Sequence, residues 1–120
     1  MEKKKFGDMG EEMALNHLLS KEFQLITKNW RFKKKEIDII MKDGNKLVIV
    51  EVKTRNTSHH ESPDEMIPRK KQRFLIHAAE AYIMEYDMME EVRFDVVIIH
   101  FENSKPVINH IKDAFHPSML

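Results

Sequence analysis

Residues 36–53 read EIDIIMKDGNKLVIVEVK, two apolar runs rich in Ile and Val with Asp43-Gly44-Asn45 between them. Runs of β-branched residues on either side of such a turn signal are typical of a β-hairpin. We therefore predict two antiparallel strands, residues 36–42 and 46–53.

The segments that flank this hairpin carry further helix and strand signals. Residues 6–20 and about 68–86 place apolar side chains at helical spacing, and Pro68 suits a first helical turn. Strands are predicted at residues 23–30, 92–100 and 106–111, and a polar loop at residues 54–63. The predicted order is α-β-β-β-α-β-β, which indicates one α/β domain over residues 1–120, a mixed sheet with flanking helices.

Length and composition limit the class of protein. A chain of 120 residues fits one domain, which can bury about two-thirds of its unfolded surface. The sequence lacks both an apolar run of the roughly 20 residues that span a membrane and the apolar stretch of a signal peptide. Without cysteine, disulfides, thiolate zinc sites and a cysteine nucleophile are excluded. We expect a cytoplasmic protein with no membrane partner.

Charge is balanced overall but unevenly distributed. The 20 basic and 20 acidic side chains cancel, so the global field does not steer nucleic acid toward the protein. Basic clusters lie at residues 3–5, 33–35 and 69–73. Solvated surface charge is the simpler explanation for any one of them. Unless they converge on one surface, we expect DNA binding to be weak and strongly salt-dependent.

Charged side chains interrupt the apolar strands of the predicted hairpin. Because residues two apart in a strand share a face, Glu51 and Lys53 project together, as do Glu36 and Asp38. Neighbouring carboxylates raise one another's pKa unless a cation intervenes, and magnesium fits that need because it takes one or two carboxylates and keeps waters. Lys53 would then hold a phosphate oxygen or assist the attacking water. The structural alternative is a cross-strand ion pair.

The turn decides which of these side chains meet. If residues 43–44 form a two-residue turn, Glu36 lies opposite Glu51, with Asp38 diagonal to it. If residues 44–45 form the turn, Asp38 faces Glu51 directly. A three-residue loop would place Asp38 on the other face of the sheet.

Seven blocks of the sequence match one protein family in order and spacing. They are Gly7-x-x-Gly10-Glu11-x-x-Ala14, Asn29-Trp30-Arg31, residues 36–40 (EIDII), residues 50–55 (VEVKTR), Lys71-Gln72, residues 93–97 (RFDVV) and residues 111–115 (IKDAF). On these blocks, residues 7–116 resemble the YraN-type predicted endonucleases. That family is similar to the PD-(D/E)XK, restriction-endonuclease-like group and, in its core, to archaeal Holliday-junction resolvases. One departure is Lys35, where relatives commonly have glycine.

The resemblance implies a restriction-endonuclease-like sheet and specific roles for four residues. Asp38 and Glu51 would be the metal carboxylates, and Lys53 the catalytic lysine. Glu11 would be an accessory acid that reaches the metal directly or through water. Helical periodicity alone favours a surface glutamate at position 11.

Cations next to this constellation are candidates for binding DNA phosphate. Arg55 follows Lys53 by two residues on the same strand face, where its guanidinium either clamps phosphate or lies at the surface. The resemblance implies that Lys71 and Gln72 contact phosphate or orient the lysine. They share the first turns of the second helix, where backbone N–H groups favour an anion, with Arg69, Lys70 and Arg73. The alternative is that these residues form the solvent-exposed face of an amphipathic helix.

Three other features admit a functional and a structural interpretation. His59-His60 lies in the polar loop, where adjacent histidines are usually solvated rather than metal ligands. Trp30 either stacks on a base or packs against the domain. Asp95 interrupts a very apolar strand, and we predict a structural acid paired with Arg93 or Arg31.

Sequence and resemblance together predict an endonuclease that hydrolyses DNA phosphodiester bonds with Mg²⁺ or Mn²⁺, with branched or structured DNA as the expected substrate. The alternatives are a catalytically silent nucleic-acid-binding protein on a nuclease fold and a scaffold in which the ion cluster serves only structure. A junction enzyme is expected to act as a homodimer, because paired cuts need a two-fold axis, although no residue pattern identifies the interface.

Overall fold

In a computed structural model, which describes residues 2–56 and 63–117, the predicted hairpin lies within a five-stranded sheet. The elements are α1 (Lys3–Ser20), β1 (Gln24–Phe32), β2 (Lys35–Asp43), β3 (Lys46–Arg55), α2 (Pro63–Met66), α3 (Arg69–Tyr86), β4 (Glu91–Glu102) and β5 (Lys105–Phe115). The predicted order is confirmed, with one short helix, α2, in addition. The His59-His60 pair lies outside the described residues.

The sheet is mixed, with strand order β1-β2-β3-β4-β5. Strands β3 and β4 run parallel, and the other neighbours are antiparallel. A parallel pair needs a long crossover, and the segment that contains α2 and α3 supplies it. None of the described helices combines the length and the apolarity that a bilayer crossing requires.

The β2–β3 hairpin turns at Gly44 and Asn45, because Asp43 pairs with Lys46. Gly44 has a φ of 61°, the left-handed conformation that a type II′ turn requires at its first central residue and that glycine adopts without strain. Of the registers that the sequence left open, the structure adopts the one in which Asp38 and Glu51 are opposite positions.

The β2–β3 ladder ends at Ile39 and Val50, although both strands continue beyond that pair. Earlier residues of β2 still pair with β1, and later residues of β3 still pair with β4. Where the ladder ends, the Val52 N–H donates a 2.8 Å hydrogen bond to Oδ2 of Asp38. The central strands therefore part at this end of the sheet and leave a gap between them.

Each face of the sheet carries a hydrophobic core. The core under α1 contains Ala14, Leu15, Leu18, Phe23, Ile39, Met41, Val48, Val50, Val97 and Ile99. The core on the opposite face joins the strands to the α2–α3 segment through Met66, Ile67, Leu75, Ile76, Ala78, Ala79 and Tyr82. Gly10 brings α1 so close to β3 that a Cβ there would clash with the Thr54 hydroxyl. This contact fixes the start of α1 over the gap in the sheet.

Candidate active site

A cleft of about 480 Å³ lies where β2 and β3 part. Its walls come from α1, β2 and β3, and the lining residues are Lys3, Phe6, Gly7, Glu11, Asp38, Glu51, Val52, Lys53, Thr54, Arg55 and Asn56. The four residues assigned catalytic roles from the resemblance, Glu11, Asp38, Glu51 and Lys53, all line it. Three separate elements thus bring them together.

Glu51 is the buried acid of the cleft, with only 3% of its surface exposed. The ammonium groups of Lys53 and Lys71 lie 3.4 and 3.6 Å from its Oε2. Its Oε1 is buried and has no hydrogen-bond partner in the described part of the chain. A buried acceptor left without a partner destabilises a protein by about 1–3 kcal/mol, and by more when it is charged. Oε1 is therefore a position where a cation or donor would be stabilising.

Asp38 lies beside Glu51 and is itself mostly buried. Burial and the nearby Glu51 carboxylate raise the pKa of Asp38 to about 8, and the hydrogen bond from the Val52 N–H partly opposes them. The Asp38–Glu51 pair therefore favours retention of one proton near neutral pH unless a cation joins it. Ile37 and Ile39 belong to opposite cores although they are two residues apart, so the regular alternation of β2 is broken at Asp38.

Glu11 reaches the cleft from α1 and is held by Asn29, whose Nδ2 donates a 3.0 Å hydrogen bond to Oε1. Burial raises the pKa of Glu11, the Asn29 hydrogen bond lowers it, and Asp8 and Glu36 raise it through like charge. Glu36 lines a neighbouring pocket with Glu11, and its carboxylate lies 3.9 Å from Arg31. We expected Glu36 and Asp38 to lie on the same face of the strand. Instead they line different pockets, because the alternation of β2 is broken between them.

The donor set suits a divalent cation that retains water. Across residues 2–56 and 63–117, no three His, Asp or Glu side chains form a ready-made metal shell. Magnesium does not need one, because it binds through one or two carboxylates and keeps several waters. The Glu51 oxygen that lacks a partner among the described residues and the mutual repulsion of Asp38 and Glu51 fit such an ion, and Glu11 lines the same cleft.

Lys71 and Gln72 start α3 but face different surroundings. Lys71 contacts Glu51 and lies 5.5 Å from the centre of the Phe74 ring, so it belongs to the edge of the cleft. Gln72 is 3% exposed, and its Nε2 donates a 2.8 Å hydrogen bond to the Ile67 carbonyl. This hydrogen bond ties Gln72 to the segment that enters α3, and its burial leaves little surface for a phosphate contact. The alternative role of Gln72, to orient the lysine, stays a prediction.

The remaining predicted cations are more exposed. Arg69, Lys70 and Arg73 lie on the solvent side of α3. Arg55 lines the cleft and donates a 3.2 Å hydrogen bond from Nη1 to the Thr54 carbonyl. Lys3 also lines it, although its basic cluster had no assigned site. Phe6 and Asn56 line the cleft as well. No pattern in the sequence predicts this, because it depends on how α1 crosses β3.

Asp95 and Trp30, for which the sequence offered a structural role, both have one in the fold. Asp95 accepts hydrogen bonds of 2.8 and 2.9 Å from Arg93, which confirms the predicted pairing. Trp30 packs edge-on against Tyr82, with ring centres 5.1 Å apart, and stacks on Phe32. Its indole is thus engaged in packing at the edge of the core.

Comparison with known proteins identifies the family. Residues 10–99 match the model of the family described as "Uncharacterised protein family UPF0102". A UPF0102 protein of Flavobacterium johnsoniae is 40% identical, over 96% of this chain and 97% of its own length. UPF0102 proteins of Christiangramia forsetii and Clostridioides difficile are each 39% identical, over 95% and 96% of this chain and 96% and 100% of their own lengths. The chain therefore belongs to the UPF0102 family, the family of the YraN-type proteins that its sequence blocks resemble.

Proposed function

We propose that the protein is a metal-dependent nuclease that hydrolyses phosphodiester bonds of DNA. The observation that carries the proposal is the buried Oε1 of Glu51, which has no hydrogen-bond partner among residues 2–56 and 63–117 and lies in a solvent-connected cleft beside Asp38. A fold that needed this acid only for stability would be expected to satisfy both of its oxygens. A buried acid with one unsatisfied oxygen next to a second acid is an arrangement that suits a catalytic divalent ion.

Asp38 and Glu51 would hold Mg²⁺ or Mn²⁺, and Glu11 would contact it through water. When bound, the ion supplies an acidified water and neutralises charge on the phosphoryl group. Lys53, about three-quarters buried and 3.4 Å from Glu51, is positioned to donate to a non-bridging phosphate oxygen. Its partial burial strengthens that charge interaction as negative charge develops on the phosphate.

The DNA backbone would be bound by the cations that surround the cleft. Lys3 and Arg55 line it, and Lys71 borders it from α3. The exposed Arg69, Lys70 and Arg73 extend positive charge away from the site along α3. These side chains contact phosphate rather than base edges, so affinity would depend strongly on salt and little on sequence.

The preference for branched or structured DNA, and a homodimer with two cleavage sites, follow from the resemblance to junction resolvases. A two-fold axis would place one cleft on each of two equivalent strands. The absence of cysteine from the chain suits the reducing cytoplasm, where we place the enzyme.

One observation favours the alternative of a silent nucleic-acid-binding protein. Two lysine ammonium groups already lie within 3.6 Å of Glu51, so the charge of this acid is compensated without an ion. In that case the cleft would bind phosphate through Lys53 and Lys71 but would not cleave it.

The test incubates the protein with end-labelled four-way junctions, splayed duplexes and linear duplexes of one sequence, in Mg²⁺, Mn²⁺ or chelator. We expect metal-dependent cleavage that favours the branched substrates, and a loss of at least about 100-fold in Glu51→Gln, as for other key electrostatic groups. Glu91→Gln is the matched control, because this acid is 82% exposed and pairs with Lys46 away from the cleft. Cleavage by Glu51→Gln at the wild-type rate contradicts the proposal, and DNA binding without any cleavage supports the alternative.

A further inference from the structure

A second pocket, of about 580 Å³, adjoins the cleft beside α1. We call it the side pocket, and its lining residues are Phe6, Met9, Asn56, Phe101, Asn103 and Ser104. Phe6 and Asn56 also line the cleft. The cleft and the side pocket therefore share a wall, and a ligand of more than one chemical group can occupy both.

The two depressions differ in charge. The cleft is lined by the cations Lys3, Lys53 and Arg55 together with its acids. The described side chains of the side pocket carry no formal charge, and half of them are aromatic or methionine. A phosphate group thus fits the cleft, and an uncharged, polarisable group fits the side pocket.

The apolar wall of the side pocket presents aromatic faces. The Phe6 and Phe101 rings lie with centres 5.9 Å apart and planes inclined at 37°. Both side chains are only partly buried, so ring surface remains accessible. Stacking on such rings is the main way in which proteins bind single-stranded bases without selecting a sequence.

The rim of the side pocket also offers hydrogen-bonding groups, two of them in a tight turn. Glu102 pairs with Lys105, so Asn103 and Ser104 form the two-residue β4–β5 turn, with φ of 51° and 63°. Positive φ at both positions is the mark of a type I′ turn. Two amides, from Asn56 and Asn103, and the Ser104 hydroxyl each both donate and accept hydrogen bonds. A flat heterocycle with donors and acceptors on its edge matches this combination of faces and rim.

We infer that the side pocket is a subsite for an unpaired nucleobase of the strand whose phosphate lies in the cleft. This inference rests on the proposed function and specifies its substrate. A base within an intact duplex is stacked and paired, and extruding it is easiest where it is mismatched or already single-stranded. The protein would therefore act where a nucleotide beside the scissile phosphate is unpaired, as at a junction, bulge or flap.

The location of this subsite differs from the one that sequence suggested. Trp30 was the stacking candidate, but its ring packs on Tyr82 and Phe32. Phe6 and Phe101 come from α1 and the end of β4, and only the folded chain brings them together next to the cleft.

The decisive experiment compares ligands rather than protein variants. Fluorescence anisotropy in Ca²⁺ measures the binding of three labelled duplexes: one with a central single-nucleotide bulge, one with the same bulge made abasic, and one fully paired. We expect the intact bulge to bind about tenfold more tightly than the abasic bulge, in line with the contribution of one stacked base. Equal affinity for the intact and abasic bulges overturns the inference.

A variant then assigns the effect to the side pocket. Phe101→Leu keeps an apolar side chain but removes the ring, and it should reduce the ratio of the two affinities to about two or less. Tyr86→Leu is the matched control, because it removes an aromatic ring that is 53% exposed at the end of α3, and it should leave the ratio unchanged. Asn56→Ala, which requires no change in the apolar wall, tests the rim if Phe101→Leu fails to fold. An unchanged ratio in the folded Phe101→Leu protein, or in Asn56→Ala where that replaces it, contradicts the assignment.

Cleavage of the same duplexes in Mn²⁺ separates this inference from the proposed function. Cleavage of all three duplexes at equal rates supports the proposed nuclease activity but overturns the inferred base subsite. Base-dependent binding without cleavage supports the subsite and contradicts the proposed nuclease activity.

Discussion

Two acids are buried on neighbouring strands of the sheet, Glu51 on β3 with 3% exposure and Asp95 on β4 with 1%. Asp95 accepts hydrogen bonds from Arg93, from the His110 ring at 2.7 Å and from the Asp113 N–H at 3.0 Å, so both of its oxygens have partners. Glu51 has two lysine contacts on one oxygen and none on the other within the described residues. The same residue chemistry and the same burial thus produce one completed site and one incomplete site.

The pKa values follow this difference. Burial alone would raise the pKa of Asp95, but the hydrogen bonds from His110, Arg93 and Asp113 outweigh it, and the pKa is lowered. In the cleft, burial and the Glu51 carboxylate raise the pKa of Asp38 to about 8. The fold stabilises negative charge at Asp95 and leaves the charge of the cleft to be stabilised by something that binds there.

The largest expected effect is on stability, at the completed site. Asp95→Asn should lower the free energy of unfolding by about 3–5 kcal/mol, because it removes the buried charge that Arg93, the His110 ring and the Asp113 N–H all contact, although Arg93 keeps its 2.8 Å pair with Asp43. Urea denaturation measures the change, with the exposed Asp87→Asn as control. Asp87 has a φ of 50°, a conformation that asparagine also adopts. A loss below about 1 kcal/mol would mean that the network is not structural.

At the incomplete site the effect should be on activity instead. Asp38→Asn and Lys53→Ala should each reduce cleavage by at least about 100-fold without unfolding the protein. Single-turnover cleavage and urea denaturation of the same preparations measure activity and folding. Full activity in either variant would remove that residue from the proposed machinery.

The pH dependence of stability should have opposite signs at the two sites. Because the folded pKa of Asp38 is raised, the folded state retains a proton that the unfolded chain releases, so stability falls as pH rises from about 4 to about 8. The lowered pKa of Asp95 adds stability above its ordinary range, and this is lost as pH falls below about 4.

Denaturation of wild type and Asp38→Asn in chelator, at a series of pH values, isolates the first contribution. We expect wild type to lose on the order of 2 kcal/mol relative to the variant between pH 4 and pH 8, after allowance for the coupling to Glu51. Parallel pH profiles would show that the cleft does not perturb Asp38.

The smallest effect concerns the exposed cations of α3. Arg69→Ala and Lys70→Ala should each weaken binding to DNA of any sequence several-fold and reduce the slope of log affinity against log salt by about 1. Anisotropy titrations at four salt concentrations measure the slope. An unchanged slope would place these residues outside the DNA path.

The sequence was sufficient for the order of the two long helices and five strands, because the helices place apolar residues at helical spacing and the strands are rich in β-branched and aromatic residues, but it did not predict α2. The hairpin register stayed open, because either Asp43-Gly44 or Gly44-Asn45 can form the turn. In the structure Asp43 pairs with Lys46, so Gly44 and Asn45 form it. The gap at Asp38 could not be predicted, because it depends on β2 and β3 following different neighbours beyond Ile39. The burial of Gln72 was likewise hidden, since it follows from the path of the chain before α3.

The central claim is that Glu51 Oε1 lacks only a cation, and titration calorimetry with Mn²⁺ at neutral pH tests it most directly. The account predicts saturable binding by wild type and by Glu91→Gln, release of a proton as Asp38 ionises, and loss of binding in Glu51→Gln. An absence of saturable binding by wild type, or equal binding by Glu51→Gln, would contradict it.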